Sequence, residues 1–196
     1  MARMCVATKR MDVALVCMGH MGNVAGVRAL RDAEKEPQLE ARVAALAIQL
    51  GMIQDAERLY RECGRFDLLN KLYQDSGHWD TALQLARDQD RSHLRNTHFH
   101  YARHLESLKM LKEAAEHYEA SDTERYEIPR MLFDDPTALE EYVKQSQNKH
   151  LLKWWAQYLE SSQDMDAALE FYAAAEDTLS LVRVNCYLGN MEKVCI

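Results

Sequence analysis

The chain has 196 residues, 24 Lys and Arg against 31 Asp and Glu, a formal charge of −7, and 47% hydrophobic residues. That apolar content excludes a disordered chain, and only 7 Gly and 3 Pro argue against a turn-rich β fold. The acidity denies it the broad basic footprint of a nucleic-acid binder, and the length suits one domain or one continuous array.

Charges interrupt the first twelve residues before any apolar signal region can form. The longest uncharged run, Val13 to Val27, is 15 residues and holds His20, Asn23 and three Gly, too short and too polar to cross a bilayer. Inside it, Gly19-His20-Met21-Gly22-Asn23-Val24-Ala25-Gly26 looks like a phosphate loop. It lacks the Lys-Ser/Thr ending and no apolar strand precedes it, so an irregular interhelix turn is the better reading. The five Cys (5, 17, 63, 186, 195) are odd in number, and no two lie two to four residues apart. They read as reduced, mostly buried thiols of an intracellular protein.

Glu36-Pro37 marks a helix boundary, and beyond it a repeat takes over. Gly51, Ile53, Ala56 and Tyr60 are matched by Gly77, Trp79, Ala82 and Ala86. Lys109, Leu111, Ala114 and Tyr118 follow, then Gln163, Met165, Ala168 and Tyr172. A Gly or polar residue ends one helix in a left-handed turn, and the next helix puts its large residue and its Ala on one face. Ala is needed there because the two backbones cross closely. Upstream, each first helix carries its own signature: Val43-Ala44-x-x-Ala47, Leu69-Asn70-x-x-Tyr73, Tyr101-Ala102-x-x-Leu105 and Trp155-Ala156-x-x-Leu159. Weaker copies start at Met11/Ala14, Met21/Val24 and Met191/Val194.

The large turn residues Ile53, Trp79, Leu111, Met165 and Met191 are spaced by 26, 32, 54 and 26, so one copy is hidden between 111 and 165. The pattern fades near Ile128-Pro129 and Asp134-Asp135-Pro136, which predicts a helix end at the first and a new start at Pro136. The expected fold is all-α: an α-solenoid of about six helical hairpins, residues 1–196 forming a single array that is irregular around 128–136.

Arg87, Arg91 and Arg95 recur every four residues and are candidates for docking an acidic peptide or a phospholipid head group. Asp88 and Asp90 interleave, and a solvated helix face is the commoner explanation. His98, His100 and His104 lack the Glu of a zinc hydrolase and a third ligand, and are expected to point outward. Trp154 lies about 100° round the helix from the buried Trp155 position, so it packs on a neighbouring hairpin or meets a partner. No strand–turn–helix seats a nucleophile, and the reading is of a non-enzyme without catalytic residues, cofactor or metal site. The chain stops within the expected second helix of a hairpin, at Lys193-Val194-Cys195-Ile196, which reads as a fragment of a longer solenoid.

The turn Gly, the apolar residue two on, the Ala three later and the aromatic four beyond resemble irregular tetratricopeptide repeats. The period departs from the usual 34, and most units lack the terminal Pro. Leu46–Met52, Leu68–Tyr73, Trp154–Ser161 and Ser180–Arg183 are similar to the helical part of the intraflagellar transport protein 140 family, over about residues 5 to 190. The resemblance implies a scaffold of intraflagellar transport complex A, in which propellers precede a long solenoid serving retrograde transport and the entry of membrane proteins into cilia. It also implies other complex A subunits and ciliary cargo adaptors as partners, and a location in the cytoplasm and cilium, at the axoneme and basal body. Two alternatives stay open: a soluble, co-chaperone-like adaptor for short acidic peptides, and a scaffold of the vesicle-coat type.

Overall fold

The turns organise the molecule. In the computed structural model, which describes residues 2–190, Gly51 has φ +72°, a left-handed conformation that costs an L-residue roughly 1–2 kcal/mol and glycine almost nothing. The chain reverses there because the Met52 N–H reaches back to the Ala47 carbonyl at 2.9 Å and the Gly51 N–H to Ile48 at 3.0 Å, the paired bonds of a Schellman cap. The same long bond recurs as His78 to Tyr73, Met110 to Leu105 and Asp164 to Leu159. In the last two turns Lys109 and Gln163 take the glycine's place, at φ +64° and +67°.

Fourteen α-helices and no strand are present among the described residues. They are α1 (Ala2–Thr8), α2 (Met11–His20), α3 (Val24–Ala33), α4 (Leu39–Gln49), α5 (Ile53–Glu62), α6 (Phe66–Asp75) and α7 (Trp79–Gln89). After a 3-10 turn, Arg91–His93, come α8 (Leu94–Ser107), α9 (Leu111–Ala120), α10 (Glu124–Met131), α11 (Pro136–Ser146), α12 (Lys149–Ser161), α13 (Met165–Ala174) and α14 (Thr178–Tyr187). Helices adjacent in sequence pair in tetratricopeptide-like fashion, and the all-α solenoid class is as expected. The crossing alanines Ala56, Ala82, Ala114 and Ala168 are all fully buried, as are Ala44, Ala102 and Ala156 of the first helices.

The chain forms two compact units, Met1–Tyr101 and Ala102–Ile196. In the first, Met18, Val43, Leu46, Leu59 and Leu69 build the core. Gly26 lies in that unit's α3, where an added Cβ would come within 2.7 Å of the Met18 terminal methyl, so the glycine leaves room for that buried side chain. In the second unit Leu139, Val143, Trp155, Phe171, Tyr172 and Val184 form the core.

Several expectations shift. The Gly19–Gly26 segment is indeed the end of α2, a turn with Gly22 at φ +68°, and the start of α3. The copy at Met11/Ala14 is a true second helix, since Ala14 and Met18 are fully buried. The copy at Met21/Val24 is not: Val24 is 79% exposed, and α3 buries Gly26, Leu30 and Ala33 instead. The copy at Met191/Val194 lies outside the described residues. Of the four cysteines among the described residues, only Cys5 is buried; Cys17 and Cys63 are half-buried, and Cys186 is exposed.

The hidden repeat is α10 with α11. Pro136 opens α11 behind Asp135, whose carboxylate accepts from the Ala138 N–H, as expected for a helix start. Leu139 and Val143 occupy the places of Ala56 and Tyr60. Pro129 does not end its helix: α10 continues to Met131 with the proline inside, giving up only the one bond that an N–H at 129 would make to the Arg125 carbonyl. In the four clear repeats the first signature residue stands ten before the large turn residue, whereas Ile128, buried here together with Pro129, stands only eight before Pro136. This two-residue contraction moves Tyr126, which holds the tenth place, out to solvent.

Candidate functional site

The three arginines of the sequence stripe do not share one helix. Arg87 is in the last turn of α7, where its charge complements the helix dipole; Arg91 is in the 3-10 turn and Arg95 in the first turn of α8. Asp90, with φ −143°, breaks the helix between them. All three are exposed, and the Asp90 carboxylate bonds Ser92 and His93. The histidines behave differently from expectation: His100 and His104 are exposed, but His98 is buried at 7% exposure. Among the described residues no three His, Cys, Asp or Glu side chains converge as a metal site.

Asn70 stands where the other three first-helix signatures carry Ala44, Ala102 and Ala156. It is buried, donating to Thr97 Oγ1 at 3.0 Å while accepting from Gln74 Nε2 at 2.8 Å. Its hydrogen-bonding capacity is used within the fold, so it does not present an amide to a peptide.

Trp154 lies in the second unit, on α12. Its ring is half-buried, stacked on Tyr158 one turn on at a centroid distance of 6.3 Å and tilted against Trp155 at 6.2 Å. Phe133, from the α10–α11 connection, meets the edge of Tyr158 at 6.5 Å. Trp155 fills the core position, as its repeat register requires. Between α10 and α12 opens a groove of about 470 Å³, lined by Arg125, Tyr126, Pro129, Arg130, Phe133, His150 and Trp154. Tyr126 is 69% exposed and Phe133 60%. Such a pair of open rings beside a half-buried Trp is what a binding surface needs and a solvated loop does not.

A second arrangement holds this unit's helices in order. Glu106, near the end of α8, accepts from the Tyr118 hydroxyl of α9 at 2.7 Å and from both Arg130 amino groups of α10 at 3.0 and 2.7 Å. The same three side chains recur as Glu160, Tyr172 and Arg183, with bonds of 2.7, 2.6 and 2.7 Å. The arginines hold Glu106 and Glu160 below the usual carboxylate range. Burial, reinforced by the Glu160 bond, pushes the Tyr172 hydroxyl up to about 12. Sequence reading missed this clamp, yet its signal is periodic: Glu stands twelve before each repeat Tyr, with Arg 24 or 23 after the Glu. The first unit has Ile48 in the equivalent place before Tyr60 and builds no such clamp there.

Compared with known protein families, the chain matches the TPR domain of intraflagellar transport proteins 140 and 172 over residues 1–195. The chain belongs to that family. A TPR domain of this kind is a protein-interaction repeat type. The repeat-turn residues Gly51, Ile53, Ala56, Gly77, Trp79, Ala82, Leu111, Ala114, Met165 and Ala168 lie at its hairpin turns and crossings. Trp79, for example, stacks on Tyr101 at 5.1 Å. No helix among the described residues is long and apolar enough to cross a membrane.

Another groove of this intraflagellar transport TPR domain, about 990 Å³ between α9 and α11, has the opposite character. Glu116, Glu119, Asp134, Asp135 and Glu141 outnumber its cations Arg103, Lys109 and Lys112. Sequence reading did not reach Tyr126 or Phe133, because the contracted α10 hairpin hides their register.

Proposed function

We propose that this chain is a non-enzymatic scaffold segment of intraflagellar transport, binding other complex A subunits and ciliary cargo adaptors through the faces of its hairpins. Residues 1–196 act as one repeat array in this role, in the cytoplasm and cilium, at the axoneme and basal body. The work it supports is retrograde ciliary transport and the entry of membrane proteins into cilia. The observation that carries the reading is the family match along residues 1–195, joined to a fold that spends its buried side chains on stacking helices. An open stack of this kind offers side chains from several helices to a partner at once.

The test is affinity purification of the tagged chain from ciliated cells. Complex A subunits are the expected co-purifying proteins. Recovery of chaperones without any intraflagellar transport subunit overturns the proposal.

A further inference from the structure

No carboxylate lines the groove between α10 and α12, unlike the groove between α9 and α11 and the one beside Glu170 and Glu176. The chain carries 31 Asp and Glu against 24 Lys and Arg, so an acid-free groove is not what its average surface offers. Three cationic or ionisable groups face it instead. Arg125 lies over the Tyr126 ring at 5.2 Å and makes no ion pair among the described residues. His150 is exposed in the first turn of α12, where the helix dipole favours an anion. Arg130 is already neutralised by Glu106 and Glu127, so it walls the groove without adding free charge.

Between these groups sit the exposed rings of Tyr126 and Phe133, the Pro129 ring and the half-buried Trp154. Two carboxylates of α10 are engaged elsewhere: Glu127 holds Arg130, and Glu124 accepts from the Asn148 amide while its other oxygen is buried. Desolvating Tyr126 and Phe133 favours an apolar occupant, and the free positive charge beside them favours one flanked by anions. We infer that this groove binds a short acidic linear segment of a partner protein, seating an apolar anchor residue between Tyr126, Phe133 and Trp154 and its carboxylates on Arg125 and His150. The inference rests on the scaffold reading only in taking the occupant from a partner protein.

The purified full chain is titrated with a fluorescent dodecapeptide of Asp and Glu around a central Leu-Pro, following peptide anisotropy and tryptophan emission together. Two comparison peptides replace the acids by Lys or the Leu-Pro by Gly-Gly, and vesicles containing phosphatidylserine provide a non-protein anionic surface. The acidic, anchored peptide binds best and shifts the emission. Arg125→Glu weakens it roughly ten-fold, and Tyr126→Ala with Phe133→Ala removes the advantage of the anchor. Both aromatic positions are exposed, so circular dichroism of these variants stays that of the parent. Trp154→Phe keeps the anisotropy change but loses the emission shift. Equal binding of the lysine peptide, no effect of Arg125→Glu, tighter binding to the vesicles, or no peptide binding overturns the inference. Peptide binding and partner recovery from cells are separate measurements, so the groove and the scaffold role fail independently.

Discussion

At the scale of single residues, the turn position shows what backbone conformation costs. Gly51 and Gly77 adopt positive φ freely, whereas Lys109 and Gln163 hold the same conformation with a Cβ. Replacing Lys109 or Gln163 by Gly relieves that strain and, after the added chain entropy of the unfolded state, stabilises by up to about 1 kcal/mol; Gly51→Ala destabilises by about 1 kcal/mol. Urea midpoints of the three variants check both signs. The crossing alanines obey a different constraint. Ala114 and Ala168 have no exposed surface, so Ala168→Leu forces two helix backbones apart and costs roughly 1–3 kcal/mol or more, read from the same transitions. Both constraints are visible in the sequence, since each fixes one small set of residue types at one place.

The α8–α9–α10 clamp and its α12–α13–α14 counterpart act at the scale of elements. Each Glu joins three successive helices, so Glu106→Gln or Glu160→Gln costs about 1–2 kcal/mol at neutral pH. The pH dependence follows from the depressed carboxyl pKa values. In acid the unfolded chain takes up these protons before the folded one does. The contribution is therefore complete above the unfolded-state value of about 4.3 and disappears as the pH falls through the folded value. Between pH 7 and roughly 3.5 the parent chain loses more stability than the Glu106→Gln/Glu160→Gln variant, as urea titrations at each pH will show. Equal losses would mean that the two carboxylates are unpaired in solution. The contracted hairpin gives a further prediction. Leu139 replaces the crossing Ala and is buried in the second unit's core, so Leu139→Ala opens a cavity and costs about 2–5 kcal/mol by the same measurement.

For the whole molecule, each unit has its own hydrophobic core, and repeat stacks gain stability from near neighbours. A cavity made by Trp155→Ala therefore speeds amide exchange in α11, α12 and α13 far more than in α4, α5 and α6. Exchange that rises equally throughout the chain would show one fully cooperative core instead. The legibility of the molecule follows the same division. Hairpins with the ten-residue spacing were readable because each buries its face locally. The α10–α11 hairpin was not, because Leu139 and Val143 bury as well as Ala and Tyr do while matching neither in type.

The sequence by itself determined that the chain is a stack of helical hairpins, and where most of them turn. Turn glycines, crossing alanines and their spacing are local requirements, set within one hairpin. Only the tertiary structure decided which polar side chains are occupied and which are offered. Asn70 stands at an alanine position of the repeat and is buried against Thr97; Trp154 was ambiguous and faces a groove; Arg87, Arg91 and Arg95 looked like one helical face and lie on three elements. The first two outcomes depend on residues 20 or more positions away, brought near by packing, and no periodicity within a single helix encodes them; the third follows from the helix break at Asp90.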